Sequence, residues 1–106
     1  MIEFVQVRVA VGSKEEAEKI SQRVVEKRLA GCAQIFGPVA STHWWKGKIE
    51  KAKEWLCLMK SRADLYQELE TTIRRLHSYD VPEILATPIK SGSKEYFVWL
   101  ESELKE

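Results

Sequence analysis

Hydrophobic and polar residues alternate at the start of the chain. From Ile2 to Val11 the β-branched Val5, Val7, Val9 and Val11 are separated by Gln6, Arg8 and Ala10, after a slip of phase at Phe4-Val5, and this predicts a first strand. Gly12 breaks the run. Ser13 with Glu16 three residues later is a capping box, and Ala17, Ile20, Val24 and Leu29 recur near a period of 3.6. A helix is therefore expected from Lys14 to Ala30, with Gly31 as its C-terminal stop.

The stretch from Ala33 to Ser61 holds two long strand-like runs joined by Lys46-Gly47, where glycine accepts the positive φ of a tight reversal. With those two as the loop, Trp45 faces Lys48, Trp44 faces Ile49, His43 faces Glu50 and Phe36 faces Cys57. At about 3.3 Å per residue each arm spans roughly 40 Å, so the hairpin should overhang the body that supports it. Pro38 has no ladder donor and is expected at an edge or bulge where the strand bends. The run Trp55, Leu56, Cys57, Leu58, Met59 is apolar on both alternating faces, so the second face of this strand needs a cover.

Ser61 with Asp64 repeats the capping pattern, and Ala63, Tyr66, Leu69, Ile73 and Leu76 mark a second amphipathic helix ending near His77. His77 to Pro82 connect it to a fourth strand, Glu83 to Lys90, in which Pro88 again implies an edge. Ser93 caps a short last helix carrying Tyr96, Phe97, Trp99, Leu100 and Leu104. The order is α+β, a ferredoxin-like βαββαβ arrangement. Its antiparallel sheet carries two helices on one face, a long hairpin between its second and third strands, and a short C-terminal helix. Such a fold leaves one sheet face bare, and an apolar bare face asks for self-association.

Composition narrows this picture. At 106 residues the chain is read as one domain, residues 1–106, able to bury a core without staples. Net charge is +1, which supplies no global field toward nucleic acid or an anionic membrane. Met1 leads straight into the strand-like run, and no apolar stretch nears the ~18 residues of a membrane span, so a cytoplasmic location is expected. Two cysteines, Cys32 and Cys57, are expected as separate thiols: in the register above they lie about 13 Å apart along the strand, beyond the ~7 Å a disulfide spans.

Several segments then carry a family resemblance. They are Leu29-Ala30-Gly31-Cys32-Ala33-Gln34-Ile35, the tip Trp45-Lys46-Gly47-Lys48-Ile49, and His77-Ser78-Tyr79-Asp80-Val81-Pro82-Glu83-Ile84, followed by Pro88-Ile89 and Tyr96-Phe97-Val98-Trp99-Leu100. Together they resemble the CutA divalent-cation tolerance proteins over nearly the whole chain. The resemblance implies a cytoplasmic homotrimer that binds copper or another divalent cation and serves metal tolerance. The family's likeness in architecture to the trimeric P(II) signalling proteins leaves a second reading, a signalling or scaffold trimer whose clefts between subunits hold a metabolite or a protein partner. The chain departs from the family where Ala10-Val11-Gly12-Ser13 replaces a Thr-x-Pro type sequence and where His43 replaces a tyrosine. A cysteine in the first strand, a metal ligand proposed in some members, is also absent.

The resemblance marks Cys32, His77 and Glu83 as candidate metal ligands, and Tyr79 and Lys60 as candidates for a ligand cleft. A thiolate at Cys32 suits Cu(I) or another soft ion; the plain alternative is a small apolar packing residue, which is also the reading of Cys57. His77 can ligate through its imidazole or simply complement a helix C-terminus. His43 and Glu50 form either a pH-sensitive pair or an ordinary solvated contact. Trp44, Trp45 and Trp55 are read as anchors of the trimer interface rather than as platforms for nucleobases. The sequence carries no phosphate loop, nucleophile elbow or catalytic triad, no CxxC or HExxH, and no aromatic RNA-binding motif, so neither an enzyme nor a nucleic-acid binder is expected.

Overall fold

A computed structural model describes residues 2–106, leaving Met1 outside. The elements are β1 (Phe4–Val11), α1 (Lys14–Glu26), β2 (Cys32–Trp45), β3 (Lys48–Arg62), a single 3-10 turn (Ala63–Leu65), α2 (Tyr66–Leu76), β4 (Ile84–Pro88) and α3 (Lys94–Glu103). The strands form one antiparallel sheet in the order β2-β3-β1-β4, so β2 and β4 are its edges. Both strand prolines, Pro38 and Pro88, thus fall on edge strands, where a missing N–H costs least.

Alternation decides which side chains meet the helices. Val5, Val7, Val9 and Val11 of β1 and Cys57, Met59 and Ser61 of β3 point to the covered face, where they are buried with Ala17, Ile20 and Val24 of α1 and Leu69 and Ile73 of α2. Phe4 falls on the opposite face, which is the meaning of the phase slip at Phe4-Val5, and its ring stacks on Phe97 of α3 at 4.8 Å. The C-terminal helix closes one end of the sheet: Leu100 is fully buried, and Arg62 binds Asp64, the Glu101 carboxylate and the Lys105 carbonyl. The remainder of the second face stays open. Phe36 is 51% exposed and Leu85 50%, with Leu56 and Leu58 half-buried between them.

The hairpin turns at Lys46 (φ 51) and Gly47 (φ 80), two positive values as a two-residue primed turn requires. Pairing follows the expected register from Trp45 opposite Lys48 down to Val39 opposite Glu54, and then slips. Gly37 and Pro38 together stand opposite Trp55, so Phe36 faces Leu56 and not Cys57, which pairs with Ile35. The slip is a β-bulge at the proline. Gly37 is needed there because a side chain would begin 2.5 Å from the Trp55 indole.

Three boundaries differ from expectation for local reasons. Helix α1 ends at Glu26 and not at Ala30: Arg28 takes a left-handed φ of 58, the amide of Arg28 donates to the Val25 carbonyl and that of Leu29 to the Val24 carbonyl, both at 3.0 Å. This is a Schellman stop built on arginine, with Leu29 and Val24 as its buried apolar pair. Gly31 instead lets α3 approach, since a side chain there would begin 2.4 Å from Leu100 Cδ1. Ser61 caps no helix; it lies within β3 and its hydroxyl donates to the Leu29 carbonyl at 2.6 Å. Strand β4 is shorter than the Glu83 to Lys90 run.

Leu100 fastens α3 to the core, so Leu100→Ala should destabilise the fold by about 2 to 5 kcal/mol. Urea unfolding of both proteins at one fixed concentration measures this; a loss under about 1 kcal/mol would mean that α3 is held by Arg62 and not by its apolar face.

Candidate functional site

The polar residues of interest gather at two ends of the sheet. At the start of β2, Cys32 stands opposite Lys60, whose ammonium donates to Gln34 Oε1 at 2.8 Å. The Cys32 thiol meets the Tyr96 hydroxyl of α3 at 3.5 Å, and Tyr96 packs its ring 5.4 Å from that of Trp99. Burial and then the hydrogen bond with Cys32 push the Tyr96 phenol up to about 12.

At the other end, α2 delivers His77. Its imidazole is buried, Nε2 donates to the Ala10 carbonyl at 2.7 Å, and the Tyr79 amide donates to Nδ1 at 3.1 Å. Both ring nitrogens are therefore engaged, and the Nε2–H tautomer is the one that satisfies both bonds. Glu16 of α1 lies 3.5 Å from Nδ1 and accepts from the amide and hydroxyl of Ser78 at 2.9 and 2.8 Å. The chain then brings Tyr79 over Gly12, where a side chain would begin 3.0 Å from the phenol oxygen, and Tyr79 donates to Glu54 Oε2 at 3.0 Å. Glu83 pairs with Arg8 at 3.1 Å.

Beside this second cluster the outer half of the hairpin borders a cleft of about 760 Å³, lined among others by His43, Trp45, Glu50, Glu54, Tyr79 and Glu83. His43 Nε2 lies 3.9 Å from Glu50 Oε1, a long pair between half-exposed groups. Trp44 is 71% exposed and Trp45 is also open, whereas Trp55 packs against the chain's own core and fills the bulge at Gly37.

The candidate ligands thus divide. His77, Tyr79 and Glu83 lie together; Cys32 and Lys60 lie apart from them. Lys60 faces Gln6 while His77 bonds Ala10, so roughly 13 Å of strand separates the two ends. Metal–ligand bonds are ~2.0 to 2.6 Å, and among the described residues no three His, Cys, Asp or Glu side chains converge to hold an ion. A copper site made of Cys32, His77 and Glu83 within one subunit does not fit this geometry. Cys57 is buried, its thiol directed at the Ala17 carbonyl at 3.7 Å, and burial pushes its pKa up, so it is core.

Sequence reading missed Glu54 and Asp80, both of which line the cleft. Glu54 is only 8% exposed, yet in the sequence it is one more charge in the alternating Lys-Glu run of the hairpin. Its burial comes from Tyr79, which is distant in sequence and carries no pattern that points to it.

Burial first, then the bond to Glu54, push the Tyr79 phenol up to about 12 from its ordinary 10. The unfolded chain releases this proton near pH 10 while the folded chain keeps it, so the stabilisation is complete below pH 10 and is lost as the pH rises through about 12. Urea midpoints measured from pH 9.5 to 12 should fall, and Tyr79→Phe should flatten that fall while Tyr66→Phe, at a less perturbed phenol, should flatten it less.

Comparison with known proteins places this geometry. Residues 5–103 match the model of the CutA1 divalent ion tolerance protein family. The divalent-cation tolerance protein CutA of Archaeoglobus fulgidus is 41% identical over 95 residues, covering 90% of this chain and 92% of that protein. The chloroplastic protein CutA 1 of Oryza sativa subsp. japonica is 35% identical over 94% of this chain, which spans 56% of the rice protein's length. A solved structure of the periplasmic divalent cation tolerance protein CutA from Archaeoglobus fulgidus superposes with a TM-score of 0.91 at 39% identity, covering 99% of this chain and 100% of that one. With the family model matched over residues 5–103 and relatives this similar in sequence and fold, the chain belongs to the CutA divalent-cation tolerance family.

Proposed function

We propose that the protein is a cytoplasmic homotrimer that binds copper or another divalent cation and acts in divalent-cation tolerance and homeostasis. The observation that carries this reading is the open sheet face, with Phe36 and Leu85 half-exposed and Leu56 and Leu58 between them. A patch of that kind on a stable protein is an interface. Copies packed head to tail close a ring, and a ring sets one end of this face against the other end of the next copy. Cys32 and Glu83 are the donors available at those two ends. His77 joins them only if Nδ1 gives up the Tyr79 amide, and in such a ring Tyr79 of one copy and Lys60 of the next would face each other across a cleft between subunits. Trp44 and Trp45, on the overhanging hairpin, are the anchors of the neighbour, while Trp55 supports the hairpin from within. Among the described residues no helix is long and apolar enough to cross a membrane, and the two unpaired thiols suit a reducing compartment.

The family's name describes ion tolerance and no reaction, which supports a binding role over an enzymatic one. A second reading, a signalling or scaffold trimer of the P(II) kind, is favoured by one observation: a cleft of about 760 Å³ falls within the ~300 to 1,000 Å³ of small-ligand pockets.

Calorimetric titration of the reduced, metal-free protein with Cu(I) separates the two. Saturable binding at a whole-number ratio to subunits, weakened more than about tenfold by Cys32→Ser, is the expected result. Binding indifferent to that substitution would remove Cys32 as a ligand and favour the signalling trimer.

A further inference from the structure

Gly31 and Cys32 are consecutive residues, and one turn of α3 meets both. Leu100 packs under Gly31, where a side chain would begin 2.4 Å from Leu100 Cδ1. Tyr96 precedes Leu100 by four residues and so lies on the same side of the helix, where its hydroxyl meets the Cys32 thiol at 3.5 Å. The Ser93 hydroxyl accepts from the Tyr96 amide at 3.2 Å, and the Trp99 ring stands 5.4 Å from that of Tyr96. Cap, neighbouring ring and buried Leu100 together set the phenol on the sulfur.

The other polar side chain nearby is engaged elsewhere: Lys60, opposite Cys32 across the ladder, directs its ammonium to Gln34 Oε1 at 2.8 Å. As a thiol, Cys32 can give or accept the hydrogen bond with Tyr96. As a thiolate, the form in which cysteine binds metal, it has no proton to give, and the phenol must be the donor. Burial and the bond with Cys32 push the phenol up to about 12, so the donor keeps its proton at neutral pH. Both groups belong to one chain, so the contact does not depend on which copy covers the open face. A hydrogen bond to a ligating sulfur fixes its orientation and draws charge from it.

We propose that Tyr96 is a positioning residue for the Cys32 ligand, its O–H donating to the thiolate sulfur and turning the remaining lone pairs away from the phenol. This rests on the reading of Cys32 as a metal ligand and adds to it the residue that orients and tunes the sulfur.

Cadmium, a soft divalent ion, titrated into the reduced, metal-free full-length protein tests it, because the sulfur-to-metal charge-transfer band reports on the sulfur directly. Tyr96→Phe removes the hydroxyl and keeps the ring. It should lower the affinity about tenfold and shift the band to longer wavelength, since a sulfur without its donor holds its electrons less tightly. Trp99→Phe, which alters the neighbour of the ring and not the sulfur's donor, should leave the band in place. A band unmoved by Tyr96→Phe would overturn the proposal even if affinity fell, because a purely structural role for Tyr96 lowers affinity alone. That outcome, with a band that Cys32→Ser abolishes, would still leave Cys32 as a ligand. A wild-type protein with no band that depends on Cys32 would overturn both this proposal and the metal reading on which it rests.

Discussion

An antiparallel sheet is stable in water only when its apolar side chains are removed from solvent, and here the helices achieve this on one side. Val7, Val9, Cys57 and Met59 are sealed beneath α1 and α2, while Leu56 and Leu58, their immediate neighbours in the same strand, point away from every helix of the chain. The alternation of a β-strand makes this unavoidable: a run apolar at every position must place half of itself on each face. Only the end of the open face, around Phe4 and Arg62, is closed by α3. The long hairpin deepens the same demand, since it projects beyond the body with Trp44 exposed, in a subunit 44 Å along its longest axis.

The polar groups are arranged around this constraint. Where backbone must leave the sheet, side chains take up the freed hydrogen bonds: His77 bonds Ala10, Glu16 holds Ser78, and Ser61 satisfies Leu29. These contacts fix the connector after α2 so that Tyr79 lies over Gly12 and covers Glu54. The chemistry at the Cys32 end is built separately, from β2 and α3, and the rigid strands between keep the two ends apart within a subunit.

Much of the fold was legible because local signals and tertiary demands agree. The Lys46-Gly47 reversal, the valine alternation of β1, the Ser13 and Ser93 caps and the end of α2 at His77 all follow from residue type and spacing. The misreadings occur where a contact distant in sequence overrides a local preference. Arg28 stops α1 in a conformation that favours glycine, helped by its side chain's bonds to Glu103. Gly31, the apparent stop, serves α3 instead. Pro38 marked the bulge, but that two residues there oppose one depends on the Trp55 indole occupying the space beside Gly37. For the site, the motifs singled out His77, Tyr79 and Glu83 as neighbours, yet grouped Cys32 with them although strand geometry separates it. Glu54 was invisible because burial of one charge among many is decided by the residue that covers it.

Sedimentation equilibrium at micromolar concentration tests the dependence on a covered second face most directly. The account predicts a single species of three times the 12.3 kDa subunit mass, with no monomer on dilution through that range. A stable, folded monomer under the same conditions would show that the open face tolerates water, and would contradict it.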